Sequence, residues 1–272
     1  MSQSLKQIRA AQALDLFERQ VAKCPRFADE RRLLRHAFSV CSQNGEDGMI
    51  QEVFTRIGAV DRTFVEVGVG DGTENNTAFL LSQGWKGFWI DGDKSFENTL
   101  SRRHDLPEGV LKSARSFVSR ENIAGALESL GVPTSFDFLS LDIDQNTYYL
   151  WEGLGAFRPR VVVVEYNASI PAEVDWKVRY DPGRFWDGSH NFGASLKAFE
   201  GLGRRLGYSL VGCDINGVNA FFVRDDCLGD KFAAPYTAQN HYEPPRYALM
   251  QNKGHRTSLL DRVEAESSER QP

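Results

Sequence analysis

Three glycines at alternate positions, Gly68, Gly70 and Gly72, follow the run Phe64-Val65-Glu66-Val67 and precede a helix-like stretch that begins near Glu74. Lacking a Cβ, glycine lets a backbone turn through positive φ and bring its N–H groups close to a bound molecule. In a strand-loop-helix context, this spacing describes a loop that holds a nucleotide-like ligand. A dinucleotide fingerprint G-x-G-x-x-G would require glycine at position 73, where threonine stands, and this weakens an NAD-dependent oxidoreductase reading. A second landmark comes nineteen residues after Gly72, where Trp89-Ile90-Asp91 ends an apolar run. A carboxylate there can accept hydrogen bonds from ribose hydroxyls, with Asp91 the first choice and Asp93 the second.

Further oxygen ligands follow two later apolar runs. Ser140-Leu141-Asp142-Ile143-Asp144 ends one, and Glu165-Tyr166-Asn167 ends the next. If both runs are parallel strands, Asp142, Asp144, Glu165 and Asn167 converge beyond their C-terminal ends. Carboxylates with an amide oxygen make a hard site for Mg²⁺ or another divalent metal. The same groups can equally hydrogen-bond cofactor, acceptor or loop backbone with no metal. Asp142 is also a candidate catalytic residue. The long connection 180–193 carries aromatics with Arg184, Asp187 and His190. Loops of that kind at the ligand end of a sheet are commonly functional. His190, with a near-neutral intrinsic pKa, is the candidate general base. Upstream, Ser42-Gln43-Asn44-Gly45-Glu46-Asp47-Gly48 opens a helix. Its acids suit a helix N-terminus, and Gln43 and Glu46 are placed to reach a ligand.

The elements that must position these residues alternate. Strands are expected at Thr63–Val67, Gly87–Asp91, Val110–Ser113, Phe136–Leu141 and Arg160–Glu165. Helices are expected at Glu74–Gln83, Ser95–Asp105, Glu121–Leu130 and Tyr148–Leu154. This is a series of βαβ units, hence a parallel sheet with helices on both faces. The tetravaline run 161–164 reads as a strand buried on both sides. Asn216-Gly217 between two further apolar runs signals a closing antiparallel hairpin. The fold class is therefore α/β and Rossmann-like, with seven strands. Before it, residues 1–40 form a helical extension: Leu5, Ile8, Leu14, Phe17 and Val21 share one helical face, and a second short helix is expected at 29–38. The leading helix suits packing on the domain, a lid or a homo-oligomer contact, and the sequence does not choose. Residues 41–228 form the ligand-binding domain, and 229–272 an extended arm with a disordered tail.

With 272 residues and 41% hydrophobic content, the chain can bury a large core. A net charge of −5 without a basic patch argues against nucleic acid as the main partner. Cys24, Cys41, Cys213 and Cys227 are scattered and form no metal or disulfide framework. No run reaches membrane-spanning length and no apolar leader opens the chain, so a cytoplasmic location is expected.

Glu66 with Gly68, Gly70 and Gly72 resembles motif I of class I S-adenosylmethionine (SAM) methyltransferases. The hairpin resembles the antiparallel closure of the sheet in those enzymes. Together with Ser42-Gln43-x-Gly45-Glu46-Asp47, Asn75-Asn76, 139–144, 164–167 and 217–224, the chain resembles FkbM-like methyltransferases over roughly residues 40–225. The resemblance implies SAM as cofactor, held by Glu66, the three glycines, Asp91, Gln43 and Glu46. It also implies O-methylation of a hydroxyl on a sugar, glycan or small natural product. The oxygen cluster is similar to that of metal-dependent O-methyltransferases, except that Tyr166 separates Glu165 from Asn167. A SAM-fold module that binds a nucleotide-like ligand without turnover is the alternative.

Overall fold

The computed structural model describes residues 23–70, 72, 74–96 and 108–247, together with Ile8, Gln12, Asp15, Leu16 and Arg19. Seven strands form one sheet: β1 (Thr63–Val67), β2 (Lys86–Asp91), β3 (Leu111–Arg115), β4 (Ser135–Leu141), β5 (Arg158–Glu165), β6 (Tyr208–Cys213) and β7 (Asn219–Arg224). Their order is β3-β2-β1-β4-β5-β7-β6. The first five are mutually parallel, and β7 runs antiparallel between β5 and β6. This is the Rossmann-like α/β sheet of class I methyltransferases. The chain reverses from β2 and β3 on one side of β1 to β4 and β5 on the other, and a crevice opens there at the strand ends.

The helices are α1 (Glu46–Ile57), α2 (Ala78–Ser82), α3 (Ile123–Leu130), α4 (Thr147–Gly153), α5 (Leu196–Leu206), α6 (Asp225–Leu228) and α7 (Ala238–His241). Period-two alternation divides the strand side chains between two cores. Val162 and Val164 join Val65, Val67 and Leu139 beneath α3, α4 and α5, whereas Val161 and Val163 join Phe64, Trp89 and Phe138 beneath α1. The tetravaline strand is thus buried from both sides, as its sequence required. At the opposite end of the sheet, buried Asp137 accepts the N–H groups of Val60, Asp61 and Arg62 and pairs with Arg160 at 3.0 Å. These contacts tie the approach to β1 onto β4 and β5.

Several elements differ from expectation, each for a local reason. The helix after the glycine loop begins at Ala78 and not at Glu74, because the N–H groups of Asn76 and Thr77 are taken by the Glu66 carboxylate. The helix expected at 29–38 is replaced by two 3₁₀ turns, Pro25–Phe27 and Leu33–His36. Between them Asp29 Oδ1 accepts the Arg31 N–H, a local bond that competes with helix. The stretch expected as an extended arm is instead packed as far as Tyr247. Phe232, Ala238, His241 and Glu243 are buried there, and Arg26 and Arg32 bind the carbonyls of Tyr242 and Asn240. The tail beyond 247, positions 97–105 of the helix expected at Ser95–Asp105, and Leu5, Leu14, Phe17 and Val21 of the leading helix lie outside the described residues.

Phe138 of β4 is fully buried and meets Phe54 of α1 edge-on at 6.2 Å. Phe138→Ala should destabilise the fold by about 3–5 kcal/mol. Urea denaturation checks this, and a loss below about 1 kcal/mol would mean that the two layers are not joined there.

Candidate functional site

The carboxyl ends of β1, β2 and β4 are drawn together by contacts that only their residue types permit. Gly68 N–H donates to the Ile90 carbonyl of β2 at 3.0 Å, and Asp142 N–H donates to the Val67 carbonyl of β1 at 2.9 Å. Gly68 has φ of 85°, and a Cβ there would lie 1.6 Å from the Asp142 carbonyl oxygen. No side chain fits, so the glycine is dictated by the approach of β4. The loop beyond it turns at Gly70 (φ 62°) and Gly72 (φ 70°), and Gly72 N–H closes it onto the Val69 carbonyl.

Two acids hold this loop from either side. Glu66, 2% exposed, accepts from Asn75 Nδ2, Thr77 Oγ1 and the backbone N–H groups of Asn76 and Thr77. Burial raises its pKa, and the donated bonds oppose that rise. Asp91, at the end of β2, accepts Gly70 N–H on Oδ2 at 2.8 Å and Asp93 N–H on Oδ1 at 2.7 Å. Each carboxylate oxygen can accept more than one bond, so Asp91 retains acceptor capacity for a ligand.

Two cavities flank the loop. The larger, about 550 Å³, lies over the ends of β1 to β4. Its walls include Asp91, Asp93, Ser116, Phe117, Asn122 and Asp144, with Arg184 and Phe185 reaching in from the segment between β5 and α5. The smaller, about 340 Å³, lies between the glycine loop, the start of α1 and the β6–β7 turn. Gln43, Glu46, Glu66, Gly70, Asn75 and Asn219 are among its walls, and among the described residues no lysine or arginine is. Gly68 and Asp142 line both. Gln43 Nε2 reaches Glu74 at 2.8 Å across the smaller cavity, and buried Glu46 accepts from Asn44 and Asn219. Of the seven residues expected to hold a cofactor, six line one or both cavities; Gly72 does not, and shapes the turn.

Beside the shared wall stand Asp142, Asp144 and Glu165, each offering a carboxylate oxygen within 4.8 Å of the others. Asp144 has φ of 58°, a left-handed conformation uncommon outside glycine but tolerated by aspartate, and Gly193 faces its carbonyl. Burial is the main cause that raises all three pKa values. It lifts Asp142 to about 7, with the Asp144 charge second, and lifts Glu165 well above the carboxylate range, with Asp142 and Asp144 adding to the rise. Glu165 Oε2 is buried without a hydrogen-bond donor. A divalent cation fits this donor set, since it would give three hard oxygens a common positive partner.

Asn167, the fourth residue expected near the carboxylates, holds the loop that follows it. Its Nδ2 donates to the carbonyls of His190 and Phe192 at 2.7 and 2.9 Å, and its Oδ1 accepts Ser169 N–H. The amide thereby fixes the long loop, while Oδ1 keeps a second lone pair. His190 lines neither cavity, and its carbonyl takes part in that same anchoring. The segment contributes Pro182, Arg184 and Phe185 to the larger cavity instead. Sequence reasoning did not assign Phe117, Asn122 or Asn219 to the site, and took Phe185 only as one of the aromatics of the long connection 180–193. Position just after the end of β3 was the available signal for Phe117, and the Asn216-Gly217 turn leading into β7 was the signal for Asn219.

No protein-family model matches the chain, and no curated protein matches it. Solved structures similar to it include the methyltransferase domain of bacterial CtHen1-C, with 19% identity and TM-score 0.39 over 67% of this chain and 97% of that one. Another is an S-adenosylmethionine-dependent methyltransferase from Clostridium acetobutylicum, with 9% identity and TM-score 0.43 over 79% and 99%. A protein from Staphylococcus aureus, provisionally assigned as a caffeoyl-CoA O-methyltransferase, has 14% identity and TM-score 0.46 over 80% and 99%. At these scores the fold assignment rests on the strand order and direction.

Because Asp142 keeps its proton to about pH 7 when folded but loses it near 3.8 when unfolded, stability should fall as pH rises across that window. Asp142→Asn should flatten the fall and be the more stable form at pH 8. Thermal melts from pH 4 to 8 check this; an unchanged slope would contradict it.

Proposed function

We propose that this chain is a SAM-dependent methyltransferase that binds its cofactor across both cavities. The observation that carries the reading is the junction at Gly68 and Asp142: two cavities meet there, beside a carboxylate cluster, at the reversal point of the sheet. Asp91 would hold the ribose, and Ser116 and Asn122 stand beside the base end. The glycine loop, Gln43, Glu46 and Glu66 would hold the methionyl end, and the acids among them suit its ammonium. When bound, SAM supplies an electrophilic methyl group. The protein's part is chiefly to position an acceptor oxygen and to take its proton.

Asp142 serves that second role better than His190, because it lines both cavities and the histidine lines neither. With a pKa of about 7, Asp142 is poised to accept a proton near neutral pH. If Asp142, Asp144 and Glu165 hold Mg²⁺ or another divalent ion, it would favour the alkoxide form of the acceptor. The FkbM-like resemblance makes a hydroxyl on a sugar, glycan or small natural product the acceptor. Neither nucleic acid nor a membrane enters this reading, a homo-oligomer is compatible with it, and no helix among the described residues is long and apolar enough to cross a membrane.

Calorimetry should show SAM binding to the intact protein. Gly70→Val, strained at φ 62°, and Asp91→Ala should each weaken it by about tenfold or more. Absence of binding, or variants equal to wild type, would remove the reading. For the cation, affinity for Mg²⁺ should rise from pH 6 to pH 8, because binding displaces the Asp142 proton. Methyl transfer that survives EDTA, with no gain from any divalent ion, would show that the cluster works without metal.

A further inference from the structure

Residues 242–247 lie across the segment that follows β5 and the β6–β7 turn, and they are anchored to both. On the first, the Tyr242 hydroxyl donates to the Ala168 carbonyl at 2.6 Å, and the Tyr166 hydroxyl donates to the Glu243 carbonyl at 2.7 Å. On the second, Arg246 N–H donates to the Asn216 carbonyl at 3.0 Å, and its guanidinium donates to the Ile215 carbonyl. The same guanidinium pairs at 3.0 Å with buried Glu243, which also pairs with Arg26 at 3.2 Å. Gly217, at φ 72°, lies directly beneath. A Cβ there would come within 2.8 Å of the Glu243 carbonyl oxygen and 2.9 Å of the Pro244 carbonyl oxygen. Only glycine lets the segment lie so close on the turn.

The turn covered in this way is a wall of the smaller cavity. Buried Asp214 accepts the N–H groups of Asn216 at 2.8 Å, Val218 at 3.1 Å and Asn219. The turn is therefore held by its N–H groups through Asp214 and by its carbonyls through Arg246. From it Asn219 Nδ2 donates to Glu46 at 2.6 Å, and Asn216 Nδ2 donates to Asn44 Oδ1 at 3.3 Å. Asn44, Glu46, Val218 and Asn219 line the smaller cavity, and none of residues 242–247 does.

Building on the SAM reading above, we propose that residues 242–247 are a strap that holds this turn against α1, and that Arg246 is a positioning residue for the amino-acid end of the ligand. Arg246 acts through Asn219 and Glu46 and touches no ligand itself. One planar guanidinium serves the Ile215 carbonyl and Glu243 together, which a shorter or neutral side chain cannot do. Without it the turn samples other shapes, and a ligand in the smaller cavity must order it on binding. The loss falls on that cavity alone, because the larger one shares no wall with the turn.

The test compares wild type, Arg246→Ala and Arg246→Lys by calorimetry with S-adenosylhomocysteine, which carries the amino-acid tail, and 5′-methylthioadenosine, which lacks it. Arg246→Ala should bind S-adenosylhomocysteine about tenfold more weakly and 5′-methylthioadenosine within about twofold of wild type, with Arg246→Lys between. Circular dichroism verifies folding, and if Arg246→Ala does not fold, Arg246→Lys carries the same comparison. Hydrogen exchange read by mass spectrometry needs neither ligand. It should quicken about tenfold in the peptide covering 214–219 and stay unchanged in β4. Unchanged exchange at 214–219, S-adenosylhomocysteine affinity within about twofold of wild type, or equal losses for the two ligands would overturn the strap and leave the methyltransferase reading standing. If wild type binds neither ligand, the methyltransferase reading fails, and Arg246 has no ligand to position, whatever the exchange shows.

Discussion

The close approach of β1 and β4 at their carboxyl ends is the constraint on which the site depends. Val67 accepts from Asp142, and the Asp142 carbonyl occupies the space where a side chain at position 68 would be. Because position 68 is glycine, the chain leaving β1 turns at once. One cavity then opens towards β2 and β3, the other towards α1 and the β6–β7 turn, and Asp142 stands in the wall of both. Any larger residue would push β4 away and separate the carboxylates from the loop.

The acids around this junction do different work despite similar surroundings. Glu66 is buried and fully hydrogen-bonded, so its role is to fix Asn75, Asn76 and Thr77 against β1 and to keep the glycine loop in one shape. Asp91 is partly open and shares its oxygens between the loop and the cavity. Asp142, Asp144 and Glu165 lack such donor sets, and their crowding favours either a shared proton or a cation. Burial penalises charge in each case, and the number of donors received decides which acid is structural and which is available for chemistry.

Much of this was legible in the sequence because the signals were local. The five parallel strands lie within two residues of their expected bounds, since apolar runs bounded by turn residues leave little freedom. The glycine spacing, Asp91 and the Asn216-Gly217 turn likewise carry their meaning in a few adjacent residues. What was not legible depends on distant partners. The Asn167 amide holds the carbonyls of His190 and Phe192 far along the chain, and the start of α2 is set by Glu66, eleven residues before Thr77. Residues 229–247 look like a polar arm because burial of Phe232, Ala238 and Glu243 is created by Arg26, Arg32 and Tyr166 from elsewhere in the chain. Phe185 is one aromatic in an irregular loop, and only its contact with Phe117 singles it out.

The central claim is that one ligand spans both cavities through the Gly68–Asp142 junction. A crystal structure with S-adenosylhomocysteine tests it most directly. The account predicts the adenosine over Asp91 in the larger cavity, the amino-acid tail between the glycine loop and Gln43–Glu46, and the sulfur beside Asp142. A ligand confined to one cavity, or with its tail directed away from the glycine loop, would contradict it.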